Sequence, residues 1–167
     1  DKSKLLIVAH QELINERLTS SEKLLGLVIN NKLSWKEHLY GDDDNPGLIS
    51  QLKQRLGTLK RLSKHMSRER LKMMVSGIFY SKLMYCLPVF GNVHGVDIYR
   101  DTKGRSSGMT ITDCNKLQVL QNSFNRLITG ARQGTATADL LKDTKCLSVQ
   151  QMVAYNTLIM VHKITMT

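Results

Sequence analysis

From Leu48 to Met66 the apolar residues Leu48, Leu52, Leu56, Leu59, Leu62 and Met66 recur at spacings of 4, 4, 3, 3 and 4. That interval lays them along one side of an α-helix and excludes a strand, whose faces alternate at every second residue. Ser67 can cap a following helix, whose own stripe is Leu71, Met74, Val75, Ile78 and Phe79, continuing to Leu83. Leu87-Pro88 closes it, because the residue before a proline is driven out of the α region. The joint at Ser67 is so short that the two helices must fold back on one another.

The same stretch carries the chain's charge. Between Ser50 and Lys72 stand Lys53, Arg55, Lys60, Arg61, Lys64, Arg68, Arg70 and Lys72 against Glu69 alone, a net +7 of the chain's +10. Burying the leucines turns these groups outward. Unrelieved like charges one turn apart disfavour a helix by a few tenths of a kcal/mol per pair. A phosphate backbone would relieve that repulsion and release counterions. Such residues would hold phosphates without reading bases. The alternatives are a solvated face, or a basic amphipathic helix facing a membrane or a calmodulin-like partner. The membrane version is weakened by an apolar face without Trp or Phe.

Upstream, Lys4–Val8 and Lys23–Ile29 read as short strands, with Asn30-Asn31 suited to a turn. The run Gly41 to Gly47, containing Asp42, Asp43, Asp44, Asn45 and Pro46, separates them from the helices. Residues 91–113 are rich in Gly, Ser, Asp and Thr and read either as a loop or as a weak hairpin of Val96–Tyr99 against Met109–Thr112. Asp113 then caps a helix bearing Leu117, Leu120, Phe124, Leu127 and Ile128, stopped by Gly130. A short helix over Thr135–Leu141 and a last one from Ser148, with Met152, Tyr155 and Ile159, complete the chain. The fold expected is mainly α: a helical bundle with a small N-terminal β-hairpin element. Its parts are residues 1–40, 46–90, 91–113 and 114–167.

At 167 residues with 41% apolar content, a packed core is within reach. Cys86, Cys114 and Cys146 lie far apart, without metal-ligand spacing, so free thiols in a reducing compartment are expected. Cys86 reads as a core filler. No run of about 18 apolar residues is present to span a bilayer, and no signal-peptide pattern opens the chain. An intracellular setting, nuclear or cytoplasmic, follows. The chain opens without Met, almost directly in an apolar run, and reads as a piece of a longer protein.

Three stretches together resemble reverse transcriptases of non-LTR retrotransposons. Lys2-Ser3-Lys4-Leu5-Leu6-Ile7 is similar to the palm's K-T-x-x-x motif, with Ser3 for Thr. Glu22 to Leu39 is similar to L-G-V-x-[IL]-D-x-x-L-x-W-x-x-H, keyed here by Leu25, Gly26, Leu27, Trp35 and His38, with Asn30 where Asp is usual. Leu117, Gln121-Asn122, Arg126, Ile128 and Gly130 follow the family's L-x-x-x-Q-N-x-x-x-R-x-I-x-G tail. The resemblance implies a primer-grip hairpin at Leu24 to Leu33 and a thumb at Leu48 to Phe90 that holds a template–primer. It puts Lys2 in the place of a lysine assisting proton transfer to pyrophosphate.

Reverse transcription needs paired aspartates holding two Mg²⁺ ions. No apolar-flanked Asp-Asp pair of that kind occurs in the chain. Asp42, Asp43 and Asp44 lie in a turn that cannot fix carboxylate geometry. No catalytic residue, metal ligand or cofactor is assigned, and Mg²⁺ is expected only in the complete polymerase. His38 near Asp42 could be a base with its orienting carboxylate. A Trp35-x-x-His38 pair more simply packs one helical turn, its imidazole satisfied by a backbone carbonyl. The partners expected are nucleic acid (an RNA–DNA hybrid, RNA or DNA duplex) and the rest of the polymerase. The competing reading is a reused module that docks an acidic protein or self-associates.

Overall fold

The structure is a computed structural model and describes residues 21–30, 34–42, 45–91 and 108–166. The strand expected at Lys4–Val8, Lys2, and Val96–Tyr99 lie outside these residues. The described part is mainly helical with one two-stranded antiparallel sheet at its start.

The run expected to be one strand over Lys23–Ile29 reverses in its middle. Strand β1 (Ser21–Leu24) pairs with β2 (Leu27–Asn30), Ser21 opposite Asn30 and Leu24 opposite Leu27. Asn31, of the turn expected at Asn30-Asn31, lies outside the described residues. The hairpin's own turn is Leu25-Gly26, and the hairpin begins and ends about three residues before the span the resemblance implied. Both turn residues have positive φ, 47° and 87°, the hand that matches the twist of the strands it joins.

Helix α1 (Lys36–Tyr40) ends at Gly41, whose φ is 90°. Gly41 bridges to Pro46, and a Cβ on Gly47 would stand 2.2 Å from the Gly41 nitrogen. Only glycines let these two strands of backbone pass so closely, so α2 (Leu48–Leu62) starts directly beside the end of α1. Leu48, Ile49, Leu52, Leu56 and Leu59 are buried. Leu62 is 43% exposed and Met66 half-buried, so the buried stripe stops a turn short of its expected end. There the chain tightens into a 3₁₀ turn (Ser63–His65) and reverses, leaving its side chains neighbours on one side only.

Ser67 caps α3 (Arg68–Val75) as expected, accepting from the Arg70 N–H. A π-helical turn (Ser76–Tyr80) and α4 (Ser81–Met84) continue the same rod. Its fully buried line is Leu71, Val75, Phe79 and Leu83. A constant spacing of four runs ahead of a 3.6-residue turn, and the wider π turn takes up that drift. The rod ends at Met84, before the expected stop at Leu87-Pro88: the ring of Pro88 would meet the carbonyl four residues back. Pro88 instead sits in the first turn of α5 (Leu87–Phe90), entered through Cys86 at φ 54°. Cys86, half-buried, packs against the core as expected, while its left-handed backbone turns the chain into α5.

The Met109 N–H donates to the Phe90 carbonyl (3.1 Å) and brings the chain back for α6 (Ile111–Thr129). Thr110, not Asp113, is the N-cap; Asp113 is the third residue of a capping box, with Thr110 Oγ1 accepting from its N–H. Ile111 and Thr112 are therefore helical, which removes the strand offered at Met109–Thr112. Gly130, at φ 72°, ends the helix as expected. Helices α7 (Thr137–Thr144) and α8 (Val149–Thr165) follow, the latter under a Ser148–Gln151 capping box. Helix α6 packs on α2, α3, α7 and α8, and one apolar core runs from the hairpin through α2, α3 and α6 to α8. No helix among the described residues is long and apolar enough to cross a membrane.

Candidate nucleic-acid interface

The eight basic residues of α2 and α3 do not form a uniform set. Lys53, Lys60, Arg61, Lys64, Arg70 and Lys72 are exposed. Lys53, Lys60 and Lys64, seven and four residues apart, follow one line along the helix. Arg55 is half-buried, and its Nη1 donates to the Ile78 carbonyl at 2.6 Å, inside the π-helical turn. Arg68 pairs with Asp143 at the end of α7 at 3.1 Å, both about half exposed, an arrangement worth little to stability. The row open to a ligand is therefore the other six.

The hairpin side is organised around His38. Strand β2 lies on α1: the Val28 N–H donates to His38 Nδ1 (3.4 Å), and the imidazole stands edge-on to Phe90 and Trp35. Its Nδ1 is thus satisfied by a backbone N–H, in place of the expected backbone carbonyl. Burial, and then the nearby Lys82 ammonium, lower its pKa to about 4, so it is neutral at pH 7. Leu27 is buried and Trp35 packs against the core. Leu25 stands 81% exposed at the tip, and its carbonyl accepts from the Tyr85 hydroxyl at 2.6 Å. A Cβ on Gly26 would lie 3.5 Å from the Tyr85 ring. Tyr85, which the sequence did not single out, clasps the hairpin to the end of α4.

The Gln-Asn pair of the tail motif is scaffold. Gln121, fully buried, donates to the Leu147 carbonyl (2.7 Å) and to the Tyr80 hydroxyl (3.2 Å) and accepts from Gln118. Asn122 donates to Thr137 Oγ1 at 2.8 Å. The Tyr80 hydroxyl in turn donates to Asn125 Oδ1, and burial raises the phenol's pKa. These bonds lock α6 to α7, to the start of α8 and to the π-helical turn.

Asp42 serves its own turn, one carboxylate oxygen accepting from the Asn45 N–H at 2.7 Å. Asp43 and Asp44 lie outside the described residues. Among the described residues no cluster of three or more His, Cys, Asp or Glu has the geometry to hold a metal. Lys23 and Lys82, distant in sequence from the basic run, line a cavity with His38 that no local pattern revealed. Compared with protein-family models, curated proteins and solved structures, the chain has no match.

Proposed function

We propose that this chain is the primer-grip and thumb end of a non-LTR retrotransposon reverse transcriptase, gripping the template–primer through α2 and α3 and catalysing nothing alone. The observation that carries the reading is the exposed row Lys53, Lys60, Arg61, Lys64, Arg70 and Lys72, which sits on a helix pair whose other side packs into the core. A rigid rod of cations at helical spacing suits a regular run of phosphates, and the field of a +10 chain speeds encounter with one. The motif resemblance supports the polymerase origin. The π-helical turn, braced by Arg55, holds the two rods in register.

The test is anisotropy of a labelled RNA–DNA hybrid across roughly 50 to 200 mM salt, where contacts with phosphates weaken steeply. Reversing Lys60, Arg61 and Lys64 to Glu should abolish binding. Undiminished affinity in that variant would remove the assignment of this face.

A second reading, self-association, is favoured by the outer part of α8, where Tyr155, Leu158, Val161 and Ile164 are all exposed. Light scattering over a dilution series separates it: a mass constant at the monomer value removes it.

A further inference from the structure

A cavity of about 210 Å³ lies where the hairpin, α1, the first turn of α2 and α4 meet. That is below the roughly 300–1,000 Å³ that enclose a drug-sized molecule. Two ammoniums and an imidazole line it: Lys23 and Lys82, from β1 and α4, and His38 from α1. Because Nδ1 of His38 accepts from Val28, the neutral ring is assigned its single proton on Nε2. The residue is only 8% exposed, and among the described residues nothing accepts from that N–H. Neither ammonium has an acidic partner among them either.

Among the described residues one carboxylate lines the cavity, Glu37, which accepts from Asn30 Nδ2 at 2.6 Å and forms no ion pair with either lysine. Gln51, also in the lining, is engaged locally, donating to the Pro46 carbonyl. The first turn of α2 bears no acidic residue, and its N-cap, Gly47, brings no side chain. Burial, Arg55 and Lys23 together lower the pKa of Lys82, the mark of a desolvated cation among like charges.

We infer that this cavity binds a single phosphoryl group, held by Lys23, the His38 Nε2–H and Lys82. Donors on three different elements are met more evenly by the tetrahedral oxygens of a phosphoryl group than by the two coplanar oxygens of a carboxylate. Its charge relieves the repulsion among Lys23, Lys82 and Arg55, and its size suits the space. The site shares none of the residues of the exposed row on α2 and α3, so each reading can fail while the other stands.

Inorganic phosphate titrated into the full chain, followed through the His38 imidazole nitrogen resonances, is the direct test, with acetate as the control anion. Saturable movement of Nε2 with phosphate and not with acetate is expected, weakened at least tenfold by K82M. K23M changes an exposed strand residue and leaves the core intact, so it gives a second measurement should K82M unfold; it should weaken binding several-fold. The K60E/R61E/K64E variant should respond like the wild type. No movement in the wild type, equal movement with acetate, indifference to both K23M and K82M, or loss in the triple variant would each overturn the site. A short oligonucleotide with and without a 5′-phosphate separates the sources: competition with inorganic phosphate only by the phosphorylated form identifies a terminal phosphate, and equal competition a backbone phosphodiester. Competition by neither overturns a nucleic-acid source and leaves free phosphate as the ligand.

Discussion

The side-chain amide of Asn30 donates to Glu37 Oε2 at 2.6 Å while its oxygen accepts from the Ser34 N–H at 2.7 Å. Asn30 is buried at the end of β2, so one residue fixes both the hairpin and α1. Asp, the residue usual at this place in the motif, can make the second bond but not the first. N30D would set a carboxylate against that of Glu37 in a buried site. It should cost about 2–3 kcal/mol in urea unfolding, and N30D/E37Q, which restores a donor opposite the new acceptor, should recover most of it. If N30D alone is as stable as the parent, the Asn30–Glu37 bond does not hold the hairpin in place.

His38 makes stability depend on pH. Its imidazole titrates at about 4 in the fold and at about 6.5 in the unfolded chain. The unfolded state therefore binds the extra proton between these values, and the contribution of the neutral, buried ring is present above pH 6.5 and lost as pH falls toward 4. The difference is about 3 kcal/mol between pH 7 and pH 4. H38Q, which can still accept from Val28, should flatten this part of the stability profile. A wild-type profile that does not diverge from H38Q in the window would refute it.

Leu25 holds φ 47° with its side chain almost wholly in solvent. A left-handed leucine costs roughly 1–2 kcal/mol, and no burial offsets it. Asn accepts that conformation and is favoured before Gly in such turns. L25N should raise stability by about 1 kcal/mol, visible as a higher Tm. The Tyr85 bond should survive, because it is made to the backbone carbonyl. An unchanged or lower Tm would show that the leucine is not strained.

The residues that periodicity exposes are those whose neighbours are local. Leu52, Leu56 and Leu59, then Leu71, Val75, Phe79 and Leu83, are core in the fold because a helix determines its own buried side. The hairpin was hidden in Lys23–Ile29 for the opposite reason. Its turn uses Leu25, a residue that resists positive φ, so an apolar run read as one strand. Thr110 does not announce itself as a cap because Ile111 and Thr112, both β-branched, favour extended backbone, and only the Thr110–Asp113 capping box makes them helical. In the candidate interface the exposed lysines are legible as charge, but the bonds that Arg55 and Arg68 make within the fold are not. Their partners, the Ile78 carbonyl and Asp143, become neighbours only when the rods fold back. The Lys23–His38–Lys82 cavity is wholly tertiary, since its three donors come from a strand and two separate helices.

Arg55 separates scaffold from interface. Its bond to the Ile78 carbonyl satisfies an acceptor within the π-helical turn, where the helical ladder is interrupted. A charged hydrogen bond of this kind contributes about 1.5–3 kcal/mol. R55M removes it but also relieves Lys82 of a nearby like charge, so the net loss should be about 1–2 kcal/mol. Lys60 is exposed and has no such bond, so K60M should leave stability within about 0.5 kcal/mol. Binding should show the reverse. K60M should lower the slope of log affinity against log salt by about one for a duplex, whereas R55M should leave the slope unchanged. Urea unfolding and a salt titration on both variants check the pair together. If R55M proves as stable as the parent and lowers the slope as K60M does, Arg55 belongs to the binding row after all and the π-helical turn stands without it.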